Sequence, residues 1–177
     1  MSIKTAFAKE LLTIMRWDSR VVLLTGDLGY GLFDEIHKEF PDRFINAGIR
    51  EQAMVGMASG MALCGKRPVV YSISTFLMMR AFEQVRNDVV LQRAPVVLVG
   101  SAGGYEKLGP THHSTTDKDL ARALELPMIC PENDREAAES IRRAVDNGSA
   151  CYVRLGDPVV REPGADDVLA DAMRCGV

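Results

Sequence analysis

Apolar residues along this chain gather in short unbroken runs, separated by longer stretches with a three-to-four-residue period. The runs are "VVLLTG" (21–26), "RPVVYSIS" (67–74), "PVVLVG" (95–100), "PMIC" (127–130) and "CYVRLG" (151–156), with "RFINAG" (43–48) a weaker sixth. Continuous, β-branched hydrophobicity, as opposed to alternation, marks strands covered on both faces. Between the runs, Ile3, Phe7, Leu11, Ile14 and Met15 share one face of a helix over 3–16. Residues 50–64 form a helix built from small side chains, and Phe76, Met79, Phe82 and Val85 or Val89 line a stripe on a helix over 76–92. A fourth helix spans 133–148, with Asn133 or Asp134 as its cap and Gly148 as its stop. Strands alternating with helices predict an α/β fold, doubly wound, with a mainly parallel sheet of about six strands and helices on both faces. The stretch from Gly100 to Thr116 is rich in Gly, Pro and His. It reads as a long loop beyond a strand's C-terminal end, where open α/β sheets hold ligands. The domain is expected over 1–157, with 158–177 a tail or short docking helix.

Composition narrows the function classes. With 47% hydrophobic and 25% charged residues the chain can build a sizeable core. A net charge of -3 and no basic stripe argue against nucleic acid or an anionic membrane surface. The N-terminus carries charges every few residues and no 18-residue apolar run follows, so a cytoplasmic protein with no membrane span is expected. Cys64, Cys130, Cys151 and Cys175 form no CxxC pair and read as small buried hydrophobes. The three histidines show no HExxH-type spacing, so no metal ligated by this chain alone is expected.

Four stretches carry candidate chemistry. "NAGIREQAMVGMASGMAL" places Glu51 at the mouth of a helix whose Gly56, Ala58, Ser59, Gly60 and Ala62 permit close approach of another backbone. Glu51 reads either as an ordinary first-turn acid, favoured by the helix dipole, or as a desolvated proton-relay acid. "GPTHHSTTD" (109–117) fixes a turn and aims His112 or His113 ahead of a helix start at Ser114 to Thr116, either as loop residues or as imidazoles turned into a cleft. In "STFLMMRAF" the stripe of Phe76, Met79 and Phe82 is more often core than ligand platform. "TGDLGYG" (25–31) follows a strand and is neither GxGxxG nor a P-loop, leaving Asp27 as a strand-end residue at a ligand site.

In this order, "GIREQAMVGMASGMAL", "YSISTFL" and "GPTHH" resemble the pyrimidine-binding domain of transketolases and related thiamine-diphosphate enzymes, over roughly 1–157. The resemblance implies the thiamine-diphosphate-binding fold and thiamine diphosphate as cofactor. It also implies that Glu51 hydrogen-bonds the cofactor's aminopyrimidine, favouring the tautomer that deprotonates the thiazolium ring. Phe76 matches the aromatic residue that packs on the pyrimidine. Met79 and Phe82 match further positions of that pocket, Met79 replacing a usual aromatic. Asp27 and Leu28 match an Asp-Leu pair near the cofactor's middle. His112, with His113 beside it, matches a histidine that reaches the substrate's oxygen atoms.

The departures from the family pattern bear on substrate and assembly. Leu108 stands where an aspartate recognises a sugar hydroxyl, and Gly31 or Tyr30 where a serine helps hold a sugar phosphate. The arginine expected after the last strand aligns with Asp157, leaving Arg154 as a partial replacement in substrate binding. An unphosphorylated or unusually modified sugar follows as the expected substrate. The Gly-Asp-Gly sequence that introduces the diphosphate and Mg2+ (or Ca2+) site in the family does not occur in this chain. The resemblance therefore implies a split transketolase: a separate subunit holds the metal and diphosphate, an α2β2 assembly is expected, and the small residues after Glu51 form part of the subunit interface. The alternatives are the small subunit of a thiamine-diphosphate 2-oxo acid decarboxylase or dehydrogenase, and a non-catalytic flavodoxin-like module.

Overall fold

The computed structural model describes residues 1–102, 108–109, 111–112 and 114–156; the expected tail at 158–177 and His113 lie outside them. Among the described residues, β1 (Val21–Thr25), β2 (Phe44–Asn46), β3 (Arg67–Ile73), β4 (Val97–Ser101), β5 (Met128–Ile129) and β6 (Cys151–Leu155) form one all-parallel sheet in the order β2-β1-β3-β4-β6-β5. Successive strand residues point to opposite faces. Val21, Leu23, Val69, Tyr71, Val97, Val99 and Val153 pack with α1 (Ile3–Trp17), α2 (Asp34–Glu39) and α6 (Asp134–Asn147). Val22, Leu24, Val70, Leu98 and Tyr152 pack with α3 (Glu51–Leu63), α5 (Thr116–Ala123) and the helical segment after β3. No described helix is long and apolar enough to cross a membrane.

The long strands match the apolar runs because both faces of the sheet are covered. β5 shrinks to two residues at the sheet edge, and α2 falls in a stretch to which the pattern assigns no element. In "DEIHKE" Ile36 alone is buried, too little apolar content to produce a helical period. α6 starts and stops as expected. Asn133 Oδ1 accepts from the Glu136 backbone N–H at 2.9 Å, and Gly148 ends the helix in the left-handed region at φ 64°. Asn133→Ala is expected to cost about 0.5–2 kcal/mol, read as a lower urea midpoint at unchanged slope.

Two expectations need correction. Cys151 alone among the described cysteines is buried; Cys64 and Cys130 are exposed. Burial pushes the Cys151 thiol up to about 11. The segment 76–92 is not a regular α-helix. π-helical turns over Phe76–Arg80 and Val85–Val90 flank one α-turn, α4 (Phe82–Gln84). The wider turns rotate Phe76, Met79 and Phe82 off the core, while Val85 and Val89 stay in it as expected. Leu77, Met78, Ala81, Val85 and Val89 are buried, whereas Phe76 and Phe82 are half-buried and Met79 is 44% exposed.

Candidate functional site

The chain leaves β1 toward β2 on one side and returns to β3 on the other, so β1 and β3 meet at the point where the strand order reverses. Open parallel sheets leave a crevice there, outside the carboxyl ends of the strands. Gly26 follows β1, Ser72 lies near the end of β3 on the face toward α3, and Glu51 is the first residue of α3.

The register brings these groups into contact. Glu51 is 1% exposed; it accepts from the Ser72 hydroxyl at 3.0 Å and from the Arg80 guanidinium at 2.7 Å. A Cβ on Gly26 would stand 3.2 Å from Ser72 Oγ and 3.5 Å from Glu51 Oε1, so a side chain there would crowd the carboxylate. The π-turn holds Arg80 back over Phe76, with the guanidinium carbon 4.2 Å from the ring centroid. His112 meets the same ring edge-on, at 4.9 Å and 69°. Its Nδ1 lies 2.9 Å from the Thr111 hydroxyl, and the Thr75 hydroxyl donates to the Thr111 carbonyl at 3.3 Å, tying the histidine loop to the start of the π-turn. Glu51, Phe76 and His112, far apart in sequence, thus converge on one place.

Asp27 and Leu28 lie on the turn after β1. Asp27 adopts φ 59°, a left-handed conformation that aspartate tolerates. Its carboxylate accepts from the Tyr30 hydroxyl at 2.6 Å and the Asn46 amide at 3.0 Å. Those bonds, Tyr30's first, hold the Asp27 carboxyl below its ordinary range. Leu28 is half-buried against the α1–α2 side of the core.

Two expected site features fall elsewhere. Arg154 is 2% exposed and directs its guanidinium inward, donating to Asp117 Oδ2 at 2.8 Å and to the Ser114 carbonyl at 3.1 Å. It braces the segment that carries His112 from beneath. Small residues of α3 are used within the chain: Ala58 and Ala62 are buried, and the Ser59 hydroxyl donates to the Asp88 carbonyl at 2.5 Å. Gly60 has open space around it. Sequence reasoning misses Ser72 and Arg80 as site residues. Alternation in "YSIS" places Ser72 on the α3 face, and Arg80 lies one helical turn beyond Phe76, so both signals are there to be found.

Phe76 and the buried Glu51 carboxylate bound a slot that the Arg80 guanidinium occupies, over the ring and hydrogen-bonded to the carboxylate. It accepts a planar group bearing N–H donors, as the Arg80 guanidinium demonstrates. An aminopyrimidine is also flat, and its ring nitrogen can share a proton with a carboxylate, so Phe76 and Glu51 fit the ring half of thiamine diphosphate.

The chain matches the family described as "Transketolase, pyrimidine binding domain" over residues 1–161. It is 39% identical over 151 residues to 1-deoxy-D-xylulose-5-phosphate synthase of Heliobacterium modesticaldum, covering 84% of this chain and 23% of the relative. An apulose-4-phosphate transketolase subunit of Actinobacillus succinogenes is 38% identical over 133 residues, covering 73% of this chain and 43% of that protein. A solved structure described as a split gene transketolase, an inactive β4 tetramer, superposes with TM-score 0.79 at 28% identity, covering 94% of this chain and 55% of that one. The chain spans about half or less of the length of the curated relatives it matches.

Proposed function

The chain belongs to the transketolase pyrimidine-binding family, and from that premise we propose that it forms the ring half of a thiamine-diphosphate site in a two-subunit transketolase-like transferase. The observation that carries this reading is the buried Glu51 carboxylate at the end of the Phe76 slot with His112 at its edge. When bound, thiamine diphosphate would supply the electron sink that lets a ketose give up a two-carbon ketol unit to an acceptor sugar. Glu51 presents an oxygen to a ring nitrogen and can hold a proton there. Ser72 fixes its other oxygen, at 3.0 Å. Phe76 supplies the stacking face, with Met79, Phe82, Asp27 and Leu28 as further contacts. His112 faces the sugar's oxygen atoms; His113, the next residue in the sequence, is a further candidate there and lies outside the described residues.

The diphosphate and its Mg2+ (or Ca2+) are assigned to a separate subunit in an α2β2 assembly. The split-gene relative, and the relative that is itself one subunit of a transketolase, support that division. Arg154 spends its guanidinium on Asp117 and Ser114, which supports a sugar not anchored there by a phosphate dianion. Co-purification with a subunit carrying Gly-Asp-Gly, followed by assay with thiamine diphosphate, Mg2+ and free or phosphorylated ketoses, tests the reading. Aldose release that needs both chains is the expected result, with the free sugar preferred. Carbon dioxide release from a 2-oxo acid instead would reassign the complex to decarboxylase or dehydrogenase chemistry.

A further inference from the structure

The group that fills the slot is a side chain of the protein itself. The Arg80 guanidinium is planar, bears N–H donors, lies on the Phe76 face 4.2 Å from its centroid and meets Glu51 Oε2 at 2.7 Å. Those are the two contacts proposed above for the aminopyrimidine: stacking on Phe76 and a hydrogen bond to Glu51. Both groups cannot occupy one ring face and one carboxylate oxygen together. We propose that Arg80 is a place-holder for the cofactor ring, filling its slot in the ligand-free chain and swinging out when the ring enters.

Three observations carry the inference. Glu51 is nearly sealed from water, and an ionised carboxylate in that position without a cation is costly, so the ligand-free state gains from a stand-in. Arg80 is 39% exposed on its side chain, so its long stem already borders solvent. The π-turn sets the Arg80–Phe76 geometry within one chain segment, four residues apart, so the stack forms without help from any partner. Glu51 consequently exchanges the guanidinium for a ring nitrogen with which it shares a proton, and keeps a hydrogen-bond partner throughout.

The place-holder lowers apparent affinity by the fraction of time the slot is open; a slot open between a tenth and a hundredth of the time weakens binding about 10- to 100-fold. This inference rests on the cofactor assignment under Proposed function, and the test separates the two. Thiamine diphosphate with Mg2+ is titrated calorimetrically into the complex carrying wild-type chain, Arg80→Ala or Arg80→Lys, and the free chains are melted. The expected result is at least about tenfold tighter binding for Arg80→Ala, together with a lower melting midpoint for its ligand-free chain. Arg80→Lys keeps the charge and loses the flat stack, so its affinity falls between the two; it also serves if the alanine variant does not fold. Equal or weaker binding by Arg80→Ala, or an unchanged midpoint, overturns the place-holder and leaves the cofactor assignment standing. No binding by any folded complex overturns both.

Discussion

Replacing Glu51 by glutamine is expected to lower turnover of the reconstituted enzyme by about 10²–10⁴-fold, the range for losing a positioned acid–base group. The substitution preserves the size of the side chain and leaves an oxygen to accept from Ser72, which donates at 3.0 Å. What it removes is the second accepting oxygen, which takes the Arg80 hydrogen bond at 2.7 Å, and the capacity to hold a proton. An amide nitrogen donates where the carboxylate accepts, so a ring nitrogen that needs a proton there would meet a group unable to share one. Glu51 is 1% exposed, so water cannot take over the task from solvent. Measuring kcat under saturating cofactor, beside a urea titration of the free variant, separates loss of chemistry from loss of fold. Turnover at the wild-type level would end the assignment of Glu51. A collapse of the urea midpoint with proportionate loss of active protein would make its role structural.

How far this site can be read from the sequence depends on how far each partner lies along the chain. β1, β3, β4 and β6 are legible because strands covered on both faces leave unbroken apolar runs. The start of α3 at Glu51 is legible from the glycine turn before it, and the ends of α6 from Asn133 and Gly148. The segment after β3 is not, because helical periodicity assumes α geometry. Two π-helical stretches turn Leu77, Met78 and Ala81 inward and leave Phe76 half-exposed beside Arg80. An amphipathic reading counts Arg80 as a solvated residue. Only the fold shows that its partner is Glu51, 29 positions earlier. The same limit hides Arg154, a charge in the run "CYVRLG" whose carboxylate lies 37 positions away. Sequence resemblance locates the residues that recur across a family; the pairing of buried charges becomes visible only in three dimensions.

That pairing carries the largest expected effect on stability. Arg154→Met keeps the length and bulk of the side chain while removing its charge, and is expected to destabilise the protein by about 3–5 kcal/mol, the cost of breaking a buried ion pair on one side. Asp117 is fully buried at the start of α5. Its Oδ2 accepts from Arg154 at 2.8 Å and from the Tyr152 hydroxyl at 2.6 Å, while Oδ1 has no partner among the described residues. The methionine variant would leave Oδ2 to the Tyr152 phenol. Burial first, and then the nearby Asp117 charge, push that phenol well above its ordinary range, so it stays protonated but brings no cation. Arg154 also donates to the Ser114 carbonyl at 3.1 Å, two residues beyond His112. The variant should therefore loosen the histidine loop as well as the core, raising KM for the sugar more than a distant core defect of equal cost. Urea titration gives the first quantity and steady-state kinetics of the surviving enzyme the second. Adding Asp117→Leu to Arg154→Met removes the stranded charge and should restore part of the loss, a coupling of about 0.5–3 kcal/mol. A single variant within about 1 kcal/mol of wild type, well under the cost of stranding a buried charge, would show that Asp117 reaches solvent or another cation and that the bridge is not what holds the loop.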